Sequence, residues 1–131
     1  MITAREIMRE NVVTINLESS LEEAIDLMLS QEISGLPVTD NEGHLVGIVT
    51  EFALLAIVYD EKIRQETISE HMTANVLTIE AGDPISKIAD MCIVHRVRRV
   101  PVMENGRIVG MISRRDVLKA LYEAKAPAST A

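Results

Sequence analysis

The chain has 131 residues, 47% of them apolar and 25% charged, and its 13 basic and 20 acidic side chains leave a net charge of −7. That length suits one shared core and is too short for two independent ones, while the acidic balance argues against a chain that coats nucleic acid by neutralising phosphates. No apolar run approaches the about 20 residues of a membrane span, Met1–Glu6 lack the basic and apolar stretches of a secretory signal, and the lone Cys92 excludes an internal disulfide, so a soluble cytoplasmic protein is expected.

In chain order, a short helical turn leads to a strand at Val12–Ile15. Ser20 then opens a helix, because Ser20 and Glu23 have the spacing of a capping box. Leu21, Ala24, Ile25 and Met28 follow at i, i+3, i+4 and i+7, one apolar stripe. A hairpin turns at Asp40-Asn41-Glu42-Gly43 into a strand at Leu45–Val49, and Thr50 caps a second helix. The second half repeats the order. Asp83-Pro84 reads as an N-cap followed by a first-turn proline, and Ile85, Ile88, Ala89 and Cys92 form the stripe, which assigns Cys92 to packing. Asn105-Gly106 is a two-residue hairpin signal. Leu45–Val49 and Ile108–Ile112 are apolar runs broken by one glycine each, as in strands covered on both faces.

These halves are copies. Thr3, Glu6, Met8, Ile15, Asp26, Pro37 and Asn41 recur 64 positions later as Thr67, Glu70, Met72, Ile79, Asp90, Pro101 and Asn105; beyond the turn the offset is 63, pairing Gly47 with Gly110, Leu55 with Leu118 and Tyr59 with Tyr122. The residue is lost where loop length is free to vary. The fold class expected is α/β (α+β), a tandem βαββα repeat, with one copy over residues 1–61, the other over 62–123, and a loose tail over 124–131.

The charge is unevenly shared. Residues 1–66 hold 4 basic and 13 acidic groups, residues 67–131 hold 9 and 7, and Arg96, Arg98, Arg99, Arg107, Arg114 and Arg115 fall in one stretch. Such a cluster in an acidic chain points to a local anion site or to a solvated basic face. The segment Gly110-Met111-Ile112-Ser113-Arg114-Arg115-Asp116 is a strand ending at a helix start, with Ser113 as N-cap and Asp116 three residues on. A carboxylate there can accept both hydroxyls of a ribose, and the helix N-terminus and arginines favour an anion beside it. A capping pair with no ligand is the alternative for Ser113 and Asp116 alone. The first copy lacks the whole set: Ala53 stands at the acid's place and Ser34-Gly35 where Arg98-Arg99 stand.

The strand, helix, Leu36-Pro37-Val38 or Val100-Pro101-Val102 hairpin, and Gly-x-x-Thr/Ser-x-x-Ala/Asp helix start closely resemble the CBS domain, here as a tandem pair from Thr3 to Tyr122. The resemblance implies repeats packed through their sheets about a pseudo-twofold axis, with clefts that take adenosine-containing ligands: AMP, ADP or ATP first, S-adenosylmethionine or NAD as alternatives. It implies Asp116 on the ribose hydroxyls, Ser113 beside sugar or phosphate, Arg98, Arg99 and Arg115 on phosphate, and the base near Met8, Val13, Ile33 and Ser34. With Ala53 and Glu51 in the other cleft, one site per chain is expected. The function implied is regulatory ligand sensing, with a homodimer of pairs as the expected assembly. A ligand-free dimerisation module is the rival.

Catalysis is not expected. The chain has no phosphate-loop, His-Glu-x-x-His or nucleophile-elbow motif, and His44, His71 and His95 are scattered at a turn and near helix ends, so no metal site or catalytic cofactor is read. Aromatic residues are only 2% of the chain, too few for base-stacking platforms. Nucleic acid and membrane are therefore not expected partners.

Overall fold

The structure, a computed structural model, describes residues 1–130, with side chains described as far as Ala124. In chain order the elements are α1 (Ala4–Ile7), β1 (Ile15–Asn16), α2 (Leu21–Gln31), β2 (Gly35–Thr39), β3 (Leu45–Thr50), α3 (Glu51–Leu55), α4 (Glu61–Arg64), a 3-10 turn (Ile68–Glu70), β4 (Ile79–Glu80), α5 (Ile85–His95), β5 (Arg99–Glu104), β6 (Arg107–Ser113) and α6 (Arg114–Thr130). They build two three-stranded sheets, β1-β2-β3 and β4-β5-β6, each with one parallel and one antiparallel pairing. The α/β fold read from the sequence is the one observed. The tail set at 124–131 overlaps the end of α6, and Ala131 lies outside the described residues.

Local chemistry explains most boundaries. Ser20 caps α2, its hydroxyl accepting from the Glu23 amide at 3.1 Å. Asp40 Oδ1 accepts from the amides of Glu42 and His44, both at 2.9 Å, and closes the first hairpin. Asn105 and Gly106 both take positive φ, 53° and 78°, as the second, two-residue turn requires. Two boundaries differ from the sequence reading. The first strand is Ile15–Asn16, not Val12–Ile15, because its parallel partner β2 meets it only from Val38 onward. Pro84, not Asp83, is the N-cap of α5, and it makes no side-chain cap bond. The Asp83 carboxylate turns back instead onto the Glu80 amide at 2.9 Å and Lys87 at 3.2 Å, and the Ile85 amide donates to the Ile2 carbonyl at 2.9 Å.

Packing divides the chain into two compact units: a central unit, Val13–Val76, and a terminal unit, Met1–Val12 with Leu77 onward. These units and the sequence repeats at 1–61 and 62–123 cut the chain at different places, because the segment that precedes each copy's first strand docks on the other copy's sheet. In the terminal unit the amides of Ala4 and Arg5 donate to the carbonyls of Asp83 and Ala81, each at 2.9 Å, and Arg9 pairs with Met111 on β6 by reciprocal backbone bonds of 2.9 Å. In the central unit Ile68 and Ser69 do the same with Ser19 and Leu17 at 2.8 and 3.0 Å, and Thr73 pairs with Ile48 on β3.

Each unit has its own core. Leu21, Leu36, Val38 and Ile68 are fully buried in the central one, as are Ala4, Ile88 and Val102 in the terminal one, with Val100 and Ile112 almost so. Each buried branched side chain contributes about 1.5–3 kcal/mol. The apolar runs of β3 and β6 are buried or half-buried along Leu45–Val49 and Ile108–Ile112, and Cys92 is half-buried against the terminal core, where burial, partly offset by the charge of Arg114, pushes its thiol pKa up.

Candidate functional site

Most of the residues read as ligand contacts lie in the terminal unit. β6 ends at Ser113 and α6 begins at Arg114, so the helix start is fixed by a strand whose Ile112 is buried. Ser113 and Asp116 cap each other: the Asp116 amide donates to Ser113 Oγ at 3.1 Å, and the Ser113 amide donates to Asp116 Oδ2 at 2.9 Å. The aspartate is thereby locked at the first turn, its side chain only 15% exposed.

A further residue, absent from the sequence reading, completes this arrangement. Arg9 Nη2 donates to Asp116 Oδ1 at 3.1 Å and Arg9 Nε to Oδ2 at 3.4 Å. Burial pulls the Asp116 pKa up, yet the hydrogen bonds from Arg9 and Ser113 together with the Arg9 charge outweigh it, so the carboxyl sits below its ordinary value. The Arg9 guanidinium is raised in turn, by its hydrogen bond to Asp116 first and by the carboxylate charge second. Arg9 and Asp116 lie 107 positions apart. The usable signal was the repeat itself: Arg9 aligns with Thr73 of the second copy and Asp116 with Ala53 of the first, so both members of the pair are missing from the central unit.

Of the residues read as phosphate ligands, Arg99 stands opposite Ser113 in the β5–β6 ladder. The Arg98 carbonyl accepts the Arg114 amide at 2.9 Å, so both backbone positions adjoin the start of α6. Arg98, Arg99 and Arg115 are exposed. Met8 belongs to this same unit, where its sulfur fills the space a side chain on Gly110 would need. Val13, Ile33 and Ser34 belong to the central unit and are half-buried. There the equivalent helix start keeps only the cap: Thr50 Oγ1 accepts the Ala53 amide at 3.3 Å, and the Ser34 carbonyl accepts the Glu51 amide at 2.9 Å.

Among the described residues one group of metal-ligating types gathers elsewhere, Glu66, Glu70 and His71, with ligand atoms within 4.8 Å of one another. His71 Nε2 already meets Glu66 Oε1 there at 2.6 Å, a pairing sufficient in itself.

The CBS domain family matches residues 4–60 and 68–123, both copies of the unit just described. The chain is a tandem pair of CBS domains. It is 32% identical over 117 residues to protein MJ1225 of Methanocaldococcus jannaschii, covering 89% of this chain and 42% of that protein. The chain thus spans well under half of that relative's length. Among solved structures, this CBS pair resembles CBSX2 in complex with AMP (TM-score 0.84, 26% identity, covering 95% of this chain and 99% of that one). It also resembles the CBS domain pair of protein MJ0100 in complex with 5′-methylthioadenosine and S-adenosyl-L-methionine (TM-score 0.80, 27% identity, covering 95% and 98%). Among the described residues of the CBS pair, no helix is long and apolar enough to cross a membrane.

Proposed function

We propose that this CBS pair is a regulatory sensor of an adenosine-containing ligand, AMP, ADP or ATP ahead of S-adenosylmethionine or NAD. It binds the ligand at the start of α6 and reports its occupancy without catalysing a reaction. One observation carries the reading. The terminal unit presents a mostly covered carboxylate, Asp116, at a helix N-terminus opposite Arg99, and the central unit, built to the same plan, has Ala53 in that place. In the proposed complex Asp116 accepts the ribose hydroxyls, Ser113 lies beside sugar or phosphate, and Arg98, Arg99 and Arg115 pair with phosphate, for which arginine forks are suited. The structural relatives that hold AMP and S-adenosylmethionine support the ligand class. Sensing follows only if the ligand binds two states of the pair unequally.

The test is a thermal-shift and calorimetry panel of AMP, ADP, ATP, S-adenosylmethionine and NAD. A ligand at 100 times its Kd adds about 2.7 kcal/mol, a rise in Tm of about 10 °C for a chain of this size. One site per chain is expected, abolished by Asp116→Ala. Two equal sites, or full binding by that variant, would overturn the assignment.

A second reading has its own observation. Phe52, Leu55 and Tyr59 in the central unit and Leu118 and Tyr122 in the terminal unit are large apolar residues left exposed, Tyr59 at 92%, and such surface fits a homodimer. Dimeric mass in light scattering with no shift from any ligand in the panel would favour an interaction module alone.

A further inference from the structure

We infer that Arg9 is a latch on Asp116 which a bound ribose must open, and that this exchange makes the site select phosphate-bearing ligands over neutral nucleosides. The inference rests on the proposed binding of a nucleotide at Asp116 and specifies how that site discriminates.

One carboxylate accepts hydrogen bonds at about four lone-pair positions. Three donors already converge on Asp116: the Ser113 amide, Arg9 Nε and Arg9 Nη2. The Ser113 bond belongs to the helix cap and stays. A ribose diol brings two more donors, so at least one arm of the Arg9 fork has to leave. That trade is unequal, because the hydroxyl that replaces the guanidinium arm is an uncharged donor and the carboxylate loses part of an ion pair with it. It also loosens the hold of the counter-charge on a carboxylate that is only 15% exposed. A neutral nucleoside offers nothing in return. A nucleotide carries a phosphate that can take up the released guanidinium, so the same displacement that weakens adenosine binding is offset for AMP.

The geometry permits the swing. The Arg9 backbone is held on the edge of β6 by its two bonds to Met111, while its side chain is 75% exposed. The movement is therefore confined to a side chain. The pair is also unnecessary for docking the segment that carries it: in the central unit Thr73 makes the same reciprocal pairing with Ile48, at 2.9 Å each way, with neither the arginine nor the acid present. A role in holding the fold therefore does not account for Arg9.

The experiment titrates adenosine and AMP by calorimetry into the wild-type chain, Arg9→Gln and Asp116→Ala, with far-UV circular dichroism confirming that each is folded. In Arg9→Gln adenosine is expected to bind more tightly and AMP equally or less tightly, so that the preference for AMP over adenosine falls by about tenfold, the scale of one charge-assisted bond. On the wild type, the Arg9 Nε–H resonance in nitrogen-15 spectra is expected to be protected in the free chain and to shift when AMP binds. If AMP binding depends on Asp116 but Arg9→Gln changes both affinities by the same factor, the latch is wrong and the nucleotide site stands. If neither ligand binds the wild type or Arg9→Gln, the site and the latch both fall.

Discussion

Gly110→Ala tests whether the N-terminal segment is seated by close contact or merely lies against β6. A Cβ at Gly110 would stand 2.5 Å from Met8 Sδ, 2.8 Å from its Cγ and 3.0 Å from its Cβ, where ordinary contact begins at 3.4 Å. Rotating the thioether relieves the first two contacts. The third is tied to the Met8 backbone, so the segment itself has to shift by a few tenths of an ångström while its neighbour Arg9 stays paired with Met111. Forcing a methyl into such a contact costs about 1–3 kcal/mol, or about 4–10 °C in Tm for this length. The check is urea denaturation of the wild type, Gly110→Ala, Met8→Ala and the double variant, followed by far-UV circular dichroism. Met8 is half-buried, so its truncation should cost about 1–2 kcal/mol, below the range for a fully buried methionine. Alanine at position 8 keeps the Cβ, so in the Met8→Ala background the new methyl should still carry the cost of that third contact and lose only what displacing the thioether adds. A Gly110→Ala protein within about 0.5 kcal/mol of wild type would refute the contact as the reason for the glycine.

Two further outcomes follow from the backbone and the charges. Glu32 and Arg96 end α2 and α5 in the left-handed region at φ 53°, where a Cβ costs about 1–2 kcal/mol; part of that gain is lost to the freer unfolded chain, so Glu32→Gly or Arg96→Gly should raise stability by about 0.5–1 kcal/mol in thermal melts. The Asp116 carboxyl is held below its ordinary value, burial being outweighed by Arg9 and Ser113. Its contribution to stability is therefore full above the unfolded pKa of about 3.9 and is lost as pH falls through the lower folded value. Denaturation midpoints measured from pH 6 to pH 2 should fall for the wild type and fall less steeply for Asp116→Asn, and equal slopes would contradict that assignment.

The elements legible in the sequence are those specified within a few residues. The Ser20 cap, the Asn105-Gly106 turn and the stripe of α2 depend on neighbours no more than seven positions away, and the structure forms all three. What escaped depends on distant partners. The first strand is short because β2 meets it only at Val38 and Thr39, and Asp83 fails to cap α5 because its carboxylate is taken by Glu80 and Lys87. Arg9 escaped for the same reason on a larger scale. Its side chain belongs to a helix start 107 positions later, and only the exchange of docking segments between the copies brings the two together. Asp116 and Ser113 were legible because the cap that joins them is local.

The dependence within that pair runs one way. Arg9 is 75% exposed and would remain well solvated without Asp116, whereas the Asp116 carboxylate, at 15% exposure, would keep only the Ser113 amide as donor if Arg9 were lost. Uncompensated burial of charge is the costly condition, so the acid accounts for the arginine and the arginine does not account for the acid. The cap does not account for it either, since the central unit forms the same strand-to-helix junction with Thr50 and an alanine. Neither the cap nor Arg9 requires a carboxylate at position 116, which supports the proposed contact of Asp116 with a ribose.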